Sequence, residues 1–147
     1  MARFSFPLTS NGPLVEVLVS VTASRHYVLS RFQLPIPEPV RVRALIETGA
    51  AYSCCDLAVF SLLNLVSTYE VSILTPGTGA VPQQMKQYEV DVTIVASQGQ
   101  ITSPFKRVAD VEASLAAQGV HALIGRGILD RCLFLYDGPN ATFSLSL

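Results

Sequence analysis

Charge is what this sequence has least of. Asp, Glu, Lys and Arg make up only 14% of its 147 residues, against about 25% in an average soluble domain. Hydrophobic residues reach 50%, and the mean hydropathy is +0.42. Such a composition calls either for a membrane or for a partner that hides apolar surface. No apolar run is long enough for the first. The longest, Leu57 to Val66, is broken by Ser61 and Asn64 and falls far short of a bilayer span. The opening stretch MARFSFPLTSNG has one Arg and no apolar core, so no secretory leader is expected there. Subunit association is the expected outlet for the apolar surface, with no membrane contact and a cytoplasmic location.

Positive charge is equally thin. Ten Lys and Arg are scattered along the chain and the net charge is −1, so no nucleic-acid footprint is expected. Three cysteines, with Cys54 and Cys55 adjacent, do not make a disulfide framework and read as reduced, small apolar residues. The two histidines, His26 and His121, sit in no ligand-spaced pattern, so neither a metal nor a cofactor is expected. The triplet Asn140-Ala141-Thr142 would matter as a glycosylation acceptor only in a secreted chain.

What the sequence does have is alternation. Val15, Val17, Val19 and Val21 share one face of a strand, as do Val40, Val42, Ala44 and Ile46, and again Tyr88, Val90, Val92 and Ile94. Turn clusters lie between them at Ser10 to Pro13, Pro35 to Pro39, Thr75 to Pro82, Ser97 to Gln100 and Asp137 to Asn140. Strands parted this way predict an all-β barrel or sandwich. Three short helical pieces are expected: one capped by Asp56 and running through Leu63, one capped by Asp110 and stopping at Gly119, and one over RGILDRC. No repeat, linker or low-complexity segment divides the chain, so residues 1–147 are expected to form a single domain, long enough to bury roughly 70% of its unfolded surface.

The stretch ALIETGAAYSCCD, Ala44 to Asp56, carries the chemistry. Glu47 ends an apolar strand just before a Thr-Gly turn. A carboxylate there must find partners or shed its charge. One chemistry wants it: two carboxylates around one water that attacks a peptide carbonyl, one acting as general base and the other as general acid. The chain holds one such motif, so the second carboxylate has to come from a second copy across a two-fold axis. That requirement agrees with the sparse charge.

ALIETGA resembles the Ala-Leu-hydrophobic-Asp-Thr-Gly-Ala signature of retropepsin-like aspartic proteases, the dimeric family that includes the retroviral proteases. HALIGRGIL, near the C-terminus, is similar to the apolar-apolar-Gly-Arg segment that precedes the family's short helix. LTPGTGAVPQQMKQYEV resembles its flap, a Gly-rich hairpin that closes over bound peptide. The resemblance covers roughly Val40 to Leu147. It implies a closed acid-protease barrel with short helices, a symmetric homodimer, a peptide or protein substrate, and no cofactor. It also implies that the chain ends contribute strands to the dimer interface, with Thr142 to Leu147 pairing with its counterpart. Residue by residue, Glu47 stands at the catalytic carboxylate, Thr48 at the hydroxyl that bonds across the dimer axis, and Gly49 at the tight turn. Ala50 and Ala51 after the turn, with Gly77, Thr78 and Gly79 at the flap tip, stand where peptide is bound. Gly125 and Arg126 stand where the family packs a supporting segment behind the active-site loop.

Three positions depart from the pattern. The family has Asp where this chain has Glu47. Retroviral members usually place an Asp where this chain has Ala51, and many relatives have Asp or Asn where it has Gly127. Arg126 is then expected to find another carboxylate, Asp130 or Asp56. Each motif also has a plain reading: Glu47 as a strand-end acid paired with an Arg, PGTGA as an ordinary hairpin turn, and Arg126 as a solvated charge. Two functions follow, a weakened aspartic-type endopeptidase or a catalytically silent peptide-binding or scaffolding dimer. The glutamate itself is compatible with a natural or an engineered change.

Overall fold

Alternating valines set the framework. In the computed structural model, residues 2–74, 79–96, 99–113, 115 and 119–147 are described, with backbone alone for Tyr69 and residues 99–113. The chain runs β1 (Arg3–Pro7), β2 (Leu14–Ser20), α1 (Ala23–Arg31), β3 (Val40–Ile46), β4 (Ser53–Asp56), α2 (Leu57–Leu62) and β5 (Tyr69–Ile73). It continues through β6 (Gln83–Ala96), β7 (Gly99–Ala113), β8 (Ala122–Ile124), α3 (Arg126–Leu129), β9 (Leu133–Asp137) and β10 (Thr142–Ser146). All three faces expected from period-two alternation point inward. Val15, Val17 and Val19 are buried on β2, Val42, Ala44 and Ile46 on β3, and Tyr88, Val90, Val92 and Ile94 on β6. They join one core cluster, in which Phe60 of α2 stacks on Tyr88 with ring centroids 4.0 Å apart.

Seven strands form one sheet in the order β2-β3-β8-β4-β7-β6-β5. β2 also pairs with the second half of β6, Glu16–Ser20 against Asp91–Val95, which curls the sheet tightly. The first half of β6 carries β5 instead, and no further strand pairs with β5 among the described residues. The sheet is therefore a curled half-barrel rather than the closed barrel expected. A second sheet of three strands, ordered β1-β10-β9, packs against it through Phe6, Phe143 and Leu145. β10 is its central strand, with Phe143 stacked on Phe6 at 5.0 Å and tilted against Phe134 at 6.1 Å. The chain ends meet there, where the Leu147 N–H donates to the Ala2 carbonyl at 3.0 Å.

The helices depart from the sequence reading in three ways. α1 has no counterpart in that reading: Thr22 caps it by accepting from the Arg25 N–H at 3.2 Å, but none of its residues is buried, so it has no apolar face to read. Asp110 lies in strand β7, in register with Ser53 and Tyr88, and the chain is still extended at Ala113, so the helix expected to begin there does not; residues 114 and 116–118 of that expected helix lie outside the described residues. α2 starts where expected, yet the Asp56 carboxylate makes no cap and accepts the Leu115 N–H at 2.8 Å. α3 forms within RGILDRC as expected.

Candidate active site

The site is assembled where three strands meet. β8 lies between β3 and β4, parallel to the first and antiparallel to the second, so the Gly-Arg segment that follows β8 emerges under the turn joining the other two. The Glu47 N–H donates to Ile124 O at 2.9 Å, and the Ala50 N–H returns to Glu47 O at 3.2 Å, closing the turn. From below, the Arg126 N–H donates to Ala50 O at 2.8 Å and the Gly127 N–H to Ala51 O at 3.2 Å. The Gly125 N–H finds the buried Ser53 hydroxyl at 3.0 Å. Only glycine fits at 125, because a Cβ there would lie 2.3 Å from Tyr52 O and 2.8 Å from Ala50 O.

Two side chains tighten the same turn. The Arg126 guanidinium donates to the Thr48 carbonyl at 2.8 Å. It reaches neither Asp130 nor Asp56, the carboxylates expected from the sequence. With alanine at position 51, the backbone carbonyl of the turn is the acceptor within reach. Glu47 folds back on itself, and its Oε1 accepts the Gly49 N–H at 2.9 Å. This is a longer version of the local turn bond that Asp and Asn make with the residue two ahead. Glu47, Thr48 and Gly49 are all exposed in the single chain, so the carboxylate stands free on its outer side.

A cleft of about 830 Å³ opens over the turn. Of the residues singled out from sequence, it gathers Glu47, Gly49, Ala50, Ala51 and Arg126 on its wall. Thr48 is exposed beside it, and Gly125 is buried behind it. The opposite wall is Ser72, Ile73 and Leu74, the end of β5 in its hairpin with β6. Gly77 and Thr78 lie outside the described residues; Gly79 is exposed in the connecting loop, at φ +61° with nothing within 4 Å of a would-be Cβ. Sequence reasoning missed Leu45, Tyr52, Cys54 and Leu123 on the wall, and the Ser53 bond behind it. Ser53 carried one signal, a lone hydroxyl entering an apolar strand.

No disulfide joins the cysteines. Cys55 is core, Cys54 is half-buried in the cleft, and burial pushes the Cys132 thiol up to about 11. Among the described residues no group of three His, Cys, Asp or Glu is placed to hold a metal ion, and no helix is long and apolar enough to cross a membrane.

No protein-family model matches the chain, and no curated protein matches it in sequence. A solved structure does match it in shape. The structure of a retropepsin-like aspartic protease from Rickettsia conorii superposes with a TM-score of 0.58, covering 98% of this chain and 89% of that one, at 15% identity. The fold is retropepsin-like. On the retropepsin-like frame the ends of β3 and β8 present a carboxylate turn and a Gly-Arg clamp, two of the three segments that the sequence resemblance rests on.

Proposed function

We propose that two copies of this chain form an aspartic-type endopeptidase, with one Glu47 from each activating the water that attacks a peptide carbonyl. One carboxylate takes a proton from the water as the other donates to the substrate, so the two share a proton between them. The observation that carries this reading is the Glu47 carboxylate on a clamped turn, at the wall of an open cleft, in a retropepsin-like fold.

Turnover is expected to be slow. Glu sets its carboxyl about 1.5 Å farther from the backbone than Asp does, one C–C bond, and a misplacement of about 1 Å costs on the order of 100-fold in rate. Glu47 also spends one oxygen on the Gly49 N–H, a bond it has to give up to reach a shared water. The test is cleavage of a peptide library at acidic and neutral pH, with pepstatin as control. Glu47→Asp is expected to raise activity at least ten-fold, and Glu47→Gln to abolish it. That same inward bond, with Ala51 where retroviral members usually carry Asp and Gly127 where many relatives carry Asp or Asn, favours a second reading: a non-catalytic, peptide-binding or scaffolding dimer. It takes first place if neither the Glu47 protein nor the Asp variant cleaves any peptide.

A further inference from the structure

Two charged residues, Glu47 and Arg126, stand among the described residues of the cleft wall, and they are in different states. Glu47 has turned its Oε1 back onto the Gly49 N–H. Arg126 is exposed, and the one partner of its side chain among the described residues is the Thr48 carbonyl, 2.8 Å from Nη1. The only ion pair among those residues lies elsewhere, between Arg41 and Glu16. A guanidinium without an anion is ordinary on an open surface, where water and salt satisfy it. In a cleft it has a consequence. Leu45, Leu74 and Leu123 line the same space, and a ligand that fills it strips water from the guanidinium. The N–H groups so stripped need a replacement acceptor.

Arg126 is also held in place without being neutralised. Its backbone N–H donates to Ala50 O at 2.8 Å while its side chain donates to Thr48 O, so both ends of the residue are tied to the turn. A carbonyl accepts a hydrogen bond but carries no net charge, and the positive charge stays unmatched. Ala51, the next residue on the wall, brings no acid to it. The planar fork of a guanidinium fits a carboxylate through two parallel bonds.

We propose that Arg126 selects peptides by an acidic side chain, with an Asp or Glu of the bound chain docking its carboxylate on the guanidinium. The inference rests on the cleft being a peptide site, which the endopeptidase and the silent binder have in common. Sign decides the class of ligand. Glu47 repels any carboxylate that comes close, so the acid belongs on the Arg126 side of the turn. A basic side chain has only Glu47 to meet, and that carboxylate already spends an oxygen on Gly49. Among the described residues nothing anionic competes for Arg126.

The test uses peptides acetylated and amidated at their ends and identical but for one position. That position is Glu, Gln or Lys in turn and is walked along the peptide. Fluorescence anisotropy with the full chain at pH 7 reads binding whether or not the peptide is cut. At one position Glu is expected to bind about 10-fold more tightly than Gln or Lys, the gain from one charge-assisted pair. Arg126→Gln is expected to remove that preference. Arg126→Lys is expected to keep part of it, since lysine retains the charge and loses the fork. Ala51→Asp, at an exposed position on the same wall, sets an acid of the protein's own beside the arginine and is expected to cancel the preference. Equal binding of the Glu and Gln peptides at every position overturns the inference and leaves the peptide site standing, as does a preference that survives Arg126→Gln. A neutral peptide with a free carboxyl end that binds as tightly as the Glu peptide assigns the arginine to chain ends and overturns the side-chain preference. Binding of no peptide at all overturns the peptide site itself. Should Arg126→Gln not fold, Ala51→Asp decides, and an undiminished preference for Glu there overturns the inference.

Discussion

Arg126 holds Thr48 by its carbonyl oxygen, 2.8 Å from Nη1, and so fastens the candidate catalytic turn to the segment behind it with a charge-assisted bond to backbone. A side-chain carboxylate can be mutated or protonated away. A carbonyl cannot, so the clamp is indifferent to pH across the range in which carboxylates titrate. Arg126→Gln is expected to lower stability by about 1 kcal/mol, less than a buried charged bond because the arginine is exposed, and to lower the melting temperature by roughly 2–4 °C. In the Glu47→Asp background it should cut peptide cleavage further than stability alone explains. Calorimetry and initial rates on the folded fraction separate the two effects.

Gly125→Ala tests the close approach directly. Its Cβ has no room before Tyr52 O at 2.3 Å, and the obstacle is backbone rather than a movable side chain. A loss of about 3 kcal/mol, or insoluble protein, is expected. Ser53→Ala removes only the hydroxyl that accepts the buried Gly125 N–H and should cost about 1–3 kcal/mol. Urea unfolding of the two variants should rank them in that order.

Phe143 is the ring between two others, Phe6 and Phe134, at the centre of the three-stranded sheet. Phe143→Ala is expected to cost about 3–5 kcal/mol and to loosen both neighbours. Exchange at Phe6 and Phe134 amides, read in the variant, should rise together; a rise at one alone would show that the stack is not shared.

Cys132 gives a pH-dependent outcome. Burial disfavours the thiolate and raises its pKa from 9.0 to about 11, with Arg131 pulling weakly the other way. The sign follows: the thiol contributes fully below pH 9, and its contribution is lost as pH rises through the folded value near 11. In the folded protein at pH 8 it should react with a thiol reagent roughly 100-fold more slowly than after unfolding. Equal rates would show that the sulfur is open to solvent.

Residue order alone carries much of the fold. The buried faces of β2, β3 and β6 are legible in valines at every second position, because a half-buried strand leaves that imprint and no other element does. Glu47, Gly49 and Arg126 are legible as a set, and the cleft brings them together. The misses share a cause. α1 buries nothing and so leaves no apolar period. Asp56 and Asp110 sit where a cap is plausible locally, but a partner distant in sequence claims one and a strand ladder the other. The fold-back of Glu47 onto Gly49 depends on a rotamer choice that residue order does not fix. The half-barrel is not legible for a related reason, since which half of the long β6 takes β2 and which takes β5 is a matter of tertiary pairing.

The middle position of β10 also orders events during synthesis. β1 leaves the ribosome early, yet its pairing partner follows far behind, with Arg3 and Ser144 separated by 141 positions. Until then the Phe4 and Phe6 side chains have no strand beside them, while the Glu47 turn and its Gly-Arg clamp already have all their own parts by the end of α3. Pairings of such long range are slow to form and leave apolar segments open meanwhile. A nascent chain of this protein therefore passes through a stage in which the site's parts are all present and the terminal sheet is not, and that stage is where a chaperone has something to hold.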